Sequence, residues 1–185
     1  TPGPRVPRPD SGAPPHSETR VNAIKDALWR CGKDGTVMFD AHCAVPPAML
    51  IQLAAAIEPY NILFLEEPAV PGNIEVFKRL KQHIKIPLAT GERDRTIWGM
   101  LPYLQERCVD ILQSDCGHTG GIRQMQNIAT LAAADVVPLA PQCTCNELGH
   151  TAGTRHTFSG TVHLIPDRYP DGQTTPGRVA TRALT

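Results

Sequence analysis

The sequence predicts an α/β fold: a partial TIM-type (β/α) barrel of parallel strands, about five βα units long. Three observations carry this. Short apolar runs alternate with stretches of helical periodicity five times between Val37 and Ala140, the pattern of a parallel sheet rather than of hairpins. The run Ile62–Leu65 is apolar on both faces, as a strand with helices outside and barrel core inside must be. Acidic residues also close three successive runs at one interval. Asp40, Glu66 and Glu92 follow one another at steps of 26 residues, close to the roughly 30 that one unit of an eight-unit barrel takes. Carboxylates one unit apart, each where a strand gives out, converge on one mouth and form a candidate metal site.

In chain order, residues 1–16 carry six prolines and almost no large apolar side chain. Such a lead cannot offset its ordering entropy by burial and reads as disordered. Residues 17–148 form the expected barrel portion. Its first helix opens near Ser17, with Val21, Ile24 and Leu28 on one face, and the turn Cys31–Gly35 ends it. Strand Val37–Phe39 delivers Asp40, Ala41 and His42. A helix then starts at Pro46-Pro47, with Met49, Leu50, Leu53, Ala54 and Ile57 facing inward, and Pro59 stops it. Strand Ile62–Leu65 ends in Glu66-Glu67-Pro68.

Asn73 can cap the next helix, which holds Ile74, Phe77, Leu80 and Lys81. Strand Ile86–Ala89 leads to Thr90-Gly91-Glu92-Arg93. The helix around Ile97–Gln105 contains Pro102, tolerable only near its first turn. Strand Val109–Gln113 yields Ser114-Asp115, and His118-Thr119-Gly120-Gly121 precedes the helix with Ile122, Met125, Ile128, Ala129 and Ala132. Strand Val136–Ala140 ends at Pro141-Gln142-Cys143. Residues 149–185 read as a weakly ordered tail in which only Val162–Ile165 looks strand-like.

Composition narrows the function classes. Lys+Arg and Asp+Glu both total 18, so no charge excess favours nucleic acid or another polyanion. No apolar run approaches the ~18 residues of a membrane span, and no charged-then-apolar leader opens the chain. A cytoplasmic protein with a small-molecule substrate is the expectation. The six cysteines fit neither a disulfide framework nor a zinc pattern, which leaves mostly buried, reduced thiols. Trp29 and Trp98 read as packing residues, and His83 as a helix-end residue without chemistry.

Five motifs in register carry a resemblance: Asp40-Ala41-His42, Glu66-Glu67-Pro68, Gly91-Glu92-Arg93, Asp115 with His118–Ile122, and Ala140–Cys143. Over residues 17–148 the chain resembles the mandelate racemase/muconate lactonizing enzyme branch of the enolase superfamily, and within it the acid-sugar dehydratases of galactonate dehydratase type. The resemblance implies a lyase: Mg²⁺-dependent dehydration of an aldonate such as galactonate to a 2-keto-3-deoxy acid, through a metal-stabilised enediolate. It implies Asp40, Glu66 and Glu92 as Mg²⁺ ligands, His42 as general acid, and Asp115 as the carboxylate that orients the base. The chemistry agrees with the residue types, because magnesium wants oxygen ligands and leaves positions for substrate and water.

The family's base histidine is Gln142 here, and a carboxamide is no base near neutral pH. Such a loss costs about 10²–10⁴-fold. His118 and His150 are conceivable substitutes. The capping domain and several barrel strands of the family have no counterpart in the sequence, so the chain reads as a fragment or degenerate copy whose open edges call for a partner or a homo-oligomer. A non-catalytic remnant is therefore the alternative function. A zinc hydrolase on the same barrel is a third, disfavoured because Asp-Ala-His stands where closely spaced His or Cys ligands would be needed. Glu67 reads as the partner of a basic residue rather than as a ligand, and Gly120-Gly121 as a tight-packing pair rather than a phosphate cradle.

Overall fold

The computed structural model describes residues 21–22, 24–26 and 36–141, and the backbone of residues 178–182. Expectations about the proline-rich lead, Trp29, Gln142, His150 and Val162–Ile165 fall outside them. Residues 21–22 and 24–26 are helical, with Ile24 buried, as the apolar spacing requires.

Four parallel strands alternate with helices in a partial barrel. These are β1 (Thr36–Asp40), β2 (Leu65–Glu66), β3 (Leu88–Thr90) and β4 (Ile111–Leu112). Helix α1 (Pro47–Ile57) follows β1, α2 (Ile74–His83) follows β2, and α3 (Thr96–Gln105) follows β3. After β4 come the single turn α4 (Cys116–Thr119) and α5 (Ile122–Ala134). A fifth strand, β5 (Arg178–Arg182), lies on the outer edge of β1, giving the order β4-β3-β2-β1-β5. The edge of β1, expected to be open, is thus paired over five positions by the chain itself.

Alternation along the strands sorts the core into two faces. Val37, Phe39, Leu65, Leu88, Leu112 and Leu139 pack towards the helices, together with Leu50, Phe77 and Met125. Met38, Phe64, Ala89, Ile111 and Ala140 form a second buried cluster, the barrel interior. The register joins Asp40 to Glu66, Glu66 to Ala89, and Ala89 to Ile111 as paired positions on adjacent strands.

The helices keep the inward residues that their spacing predicts. In α1 these are Leu50, Leu53, Ala54 and Ile57, and Pro59 falls in a short 3₁₀ turn just after it. Asn73 occupies the N-cap of α2, but its side chain makes no capping hydrogen bond. Phe77 of α2 meets Tyr103 of α3 edge to face, with centroids 5.0 Å apart.

Three expectations need correction. Val136–Ala140 is not a full strand. It makes one bridge, Leu139 to Leu112, because Pro138 has no N–H to extend the ladder. Pro102 stands inside α3, not in its first turn. The lost bond costs about 3 kcal/mol, which burial of Met100, Tyr103 and Leu104 offsets at about 1.5–3 kcal/mol per large apolar side chain. Trp98 is no packing residue, since it is 71% exposed. Cys43, Cys108 and Cys116 are free thiols, the last two buried. Among the described residues no helix is long and apolar enough to cross a membrane.

Candidate functional site

The site is built where the strands end. Asp40 and Glu66 are paired positions on β1 and β2, and the N–H of Ala41 donates to the carbonyl of Glu66 at 2.9 Å. Each lies two residues beyond an interior side chain, Met38 and Phe64, so both continue the inward face. Both are buried, Asp40 at 7% and Glu66 at 3% exposure.

Immediately past β1 the chain turns back through two non-glycine residues in the left-handed region, His42 (φ 44°) and Cys43 (φ 54°). Glu67, just past β2, has φ 44°. Such conformations cost energy and persist only where surrounding bonds fix them. Here the His42 N–H donates to Asp40 Oδ1 at 2.8 Å. The Cys43 N–H donates to the Glu67 carbonyl at 2.9 Å, and the Glu67 N–H to the Ala89 carbonyl at 2.9 Å. The distortion re-aims the His42 ring, whose Nδ1 lies 3.7 Å from Asp40 Oδ2 and 3.8 Å from Glu67 Oε2.

Glu67 is fully buried and held by Arg93, whose Nε donates to Oε1 at 3.0 Å and whose Nη2 pairs with Oε2. This is the basic partner expected for it. The same Nη2 contacts the Cys43 sulfur, and the Cys43 thiol donates to the Ala69 carbonyl at 2.9 Å. Burial, with Glu67 beside it, pushes the Cys43 thiol up to about 12, so it stays protonated and serves as a donor. One guanidinium thereby ties together the loops that follow β1, β2 and β3.

Glu92 is half-buried. Its carboxyl is raised above the ordinary range, first by desolvation, then by the charges of Glu67 and Asp40, with His42 and Arg93 opposing. His42, Glu67 and Glu92 each offer a ligand atom within 4.8 Å of the others. The structure therefore gathers Glu92 with His42 and Glu67 as one possible ligand set, while Asp40 and Glu66 stand side by side at the adjoining strand ends. Arg93 pairs with Glu67, and Asp40 and Glu67 both act on Glu92 through their negative charge. A donor set of this kind suits a divalent cation.

Asp115 is sealed from solvent and caps α4, its Oδ1 accepting from Gly117 N–H at 2.7 Å and His118 N–H at 3.0 Å. That grip holds the backbone of His118. The ring of His118 reaches across to the loop after β3, with Nδ1 2.7 Å from the Glu92 carbonyl. A carbonyl only accepts, so Nδ1 carries the hydrogen and Nε2 is left with the lone pair. Sequence reading placed His118 in a loop and could not see this link to Glu92, although its spacing of three from Asp115 is that of a capped turn.

Comparisons with known proteins agree on the family. Residues 6–175, most of the chain, match the family described as "Enolase C-terminal domain-like". A D-galactonate dehydratase of Ralstonia pickettii is 39% identical over 124 residues, covering 67% of this chain and 32% of that protein. The chain thus spans about a third of the length of that curated relative. A 3,6-anhydro-D-galactonate cycloisomerase from Zobellia galactanivorans superposes with a TM-score of 0.75 at 28% identity, over 85% of this chain and 45% of that one. A racemase from Streptomyces coelicolor A3(2) with bound magnesium shares the fold, with a TM-score of 0.75 at 20% identity over 83% and 41% of the two chains.

Proposed function

The chain belongs to the enolase C-terminal domain-like family, and on that footing we propose that its strand ends form a Mg²⁺-dependent acid-sugar dehydratase site. The reaction is loss of water from an aldonate such as galactonate, leaving a 2-keto-3-deoxy acid. The observation that carries this is the buried layer of carboxylates at one mouth. Asp40 and Glu66 are paired across two strands, and Glu92 is raised by its burial and then by the negative charge of Glu67 and Asp40. Asp40, Glu66 and Glu92 would hold the cation. When bound, it supplies positive charge beside the substrate's carboxylate and so acidifies the proton α to it.

The chain's own residues take the protons. His42, set between Asp40 and Glu67, is the donor to the departing β-hydroxyl. Gln142 stands where the family has its base, and a carboxamide cannot accept the α proton. The base falls to His118 in this reading, because its Nδ1 is committed to the Glu92 carbonyl and Nε2 is free to accept. Asp115 acts through His118 by fixing its backbone.

Gln142 favours one second reading, a metal-binding chain without turnover. Incubation with Mg²⁺ and a panel of aldonates, followed by detection of 2-keto-3-deoxy acids, separates the two. The dehydratase reading expects product from at least one aldonate, lost in Glu66→Gln. No product from any of them leaves the non-catalytic reading standing.

A further inference from the structure

We infer that Gln113 is a substrate-contact residue of this site, its carboxamide recognising a hydroxyl of a polyhydroxy acid. The inference rests on the acid-sugar reading above and deepens it. Gln113 is wholly buried, and among the described residues neither its Oε1 nor its Nε2 has a hydrogen-bond partner. A buried amide left without partners is destabilising, and one kept at the site is suited to a ligand that brings the missing bonds.

Strand geometry says where the side chain faces. Asp40 lies two residues beyond Met38, Glu66 two beyond Phe64, and Gln113 two beyond Ile111. Met38, Phe64 and Ile111 belong to the same interior cluster, so the three polar residues continue one inward face towards the mouth. The backbone fixes the position, with the Gln113 N–H donating to the Thr90 carbonyl at 2.8 Å, two residues before Glu92. Gly91 between them keeps this approach close, for a Cβ there would stand 3.3 Å from the Gln113 nitrogen. Burial does not set Gln113 apart from the metal-site residues, since Asp40 and Glu66 are nearly as enclosed.

The chemistry of the amide selects the ligand. A cation would satisfy the carbonyl oxygen and leave the NH₂ unpaired, whereas a hydroxyl both donates and accepts, and neighbouring hydroxyls satisfy both ends. An aldonate brings such hydroxyls beside the carboxylate that the cation would hold. An apolar or hydroxyl-free acid would leave the amide as it stands, and this is the discrimination Gln113 supplies.

Thermal melts of the full chain, of Gln113→Met and of Gln113→Asn test this, each without additive, with Mg²⁺, and with Mg²⁺ plus D-galactonate. In the wild type, a saturating ligand at a hundredfold excess over Kd raises the midpoint by about 5–10 °C. The inference expects the additive-free midpoint of Gln113→Met to equal or exceed that of the wild type, and its shift with Mg²⁺ alone to be kept. The added shift with galactonate should be lost in Gln113→Met and reduced in Gln113→Asn. An additive-free midpoint that falls in both variants would show that the amide serves the fold, and a galactonate increment kept in both would show that it touches no sugar. Loss of the Mg²⁺ shift would make Gln113 a metal ligand. Each of these three overturns the inference while leaving the dehydratase reading in place. A wild type that shows a Mg²⁺ shift but no galactonate increment removes the acid-sugar reading, and this inference with it.

Discussion

At the scale of single residues, the site combines buried charge with distorted backbone. Glu67 is fully enclosed, and Arg93 is the cation that offsets its charge. Arg93→Met should therefore destabilise the chain by about 3 kcal/mol, since it strands a buried carboxylate. Glu67→Gln should cost clearly less, because it removes the charge together with the need for a partner. Urea denaturation of both variants gives the comparison, and equal losses would contradict the pairing. His118 offers a second test. His118→Asn should leave Mg²⁺ affinity unchanged and lower turnover by about 10²–10⁴-fold, whereas unchanged turnover would free His118 of the base role. Neither arrangement was fully legible beforehand. The sequence marks Glu67 as the partner of a basic residue without saying which one, and the turn at φ 44° carries it to Arg93. The strand-end spacing of Asp40, Glu66 and Glu92 could be read directly, because one βα unit has a nearly constant length.

The elements show which sequence signals fold faithfully and which are overruled. The inward stripes of α1, α2 and α5 follow from apolar spacing, and the buried residues agree with it, except that Ile122 at the start of α5 is exposed. Pro102 inside α3 breaks a local rule, and tertiary packing outweighs it. Tyr103, next along the helix, meets Phe77 and accepts the Gly72 N–H at 3.0 Å, so it joins α3 to the loop after β2. Tyr103→Phe should cost about 1–2 kcal/mol, the loss of one enclosed hydrogen bond with the ring contact kept. Trp98→Gln, on the exposed face of the same helix, should change stability by no more than about 0.5 kcal/mol. Midpoints from paired thermal melts would rank the two. Val136–Ala140 shows the limit of apolar pattern, since its run contains Pro138 and pairs through Leu139 alone. β5 shows the converse: Arg178–Arg182 has a single large apolar residue, Val179, and its pairing with β1 depends on a distant edge that local sequence cannot report.

Over the whole molecule, adjacent strand ends bring the carboxylates of Asp40, Glu66, Glu67 and Glu92 to one mouth. Glu92 is the group that shows the tension, held above its ordinary 4.5 by burial and by its acidic neighbours. A carboxyl raised in the folded state favours folding most below its unfolded value, and that contribution is lost as pH rises through the folded one. With Glu92 in the proposed ligand set, Mg²⁺ would compete with the proton for this carboxylate, so affinity should climb with pH from 4.5 upward until Glu92 is ionised, and stabilisation by Mg²⁺ should climb with it. Affinity that is flat across this range would remove Glu92 from the ligand set. The chain spans about a third of its curated relative's length.

The most direct test of the cradle is a calorimetric titration of Mg²⁺ into the chain and into Glu66→Gln at neutral pH. The wild type should show one site, and affinity should be at least about tenfold weaker in the variant. No binding to the wild type, or equal binding to both, would contradict it.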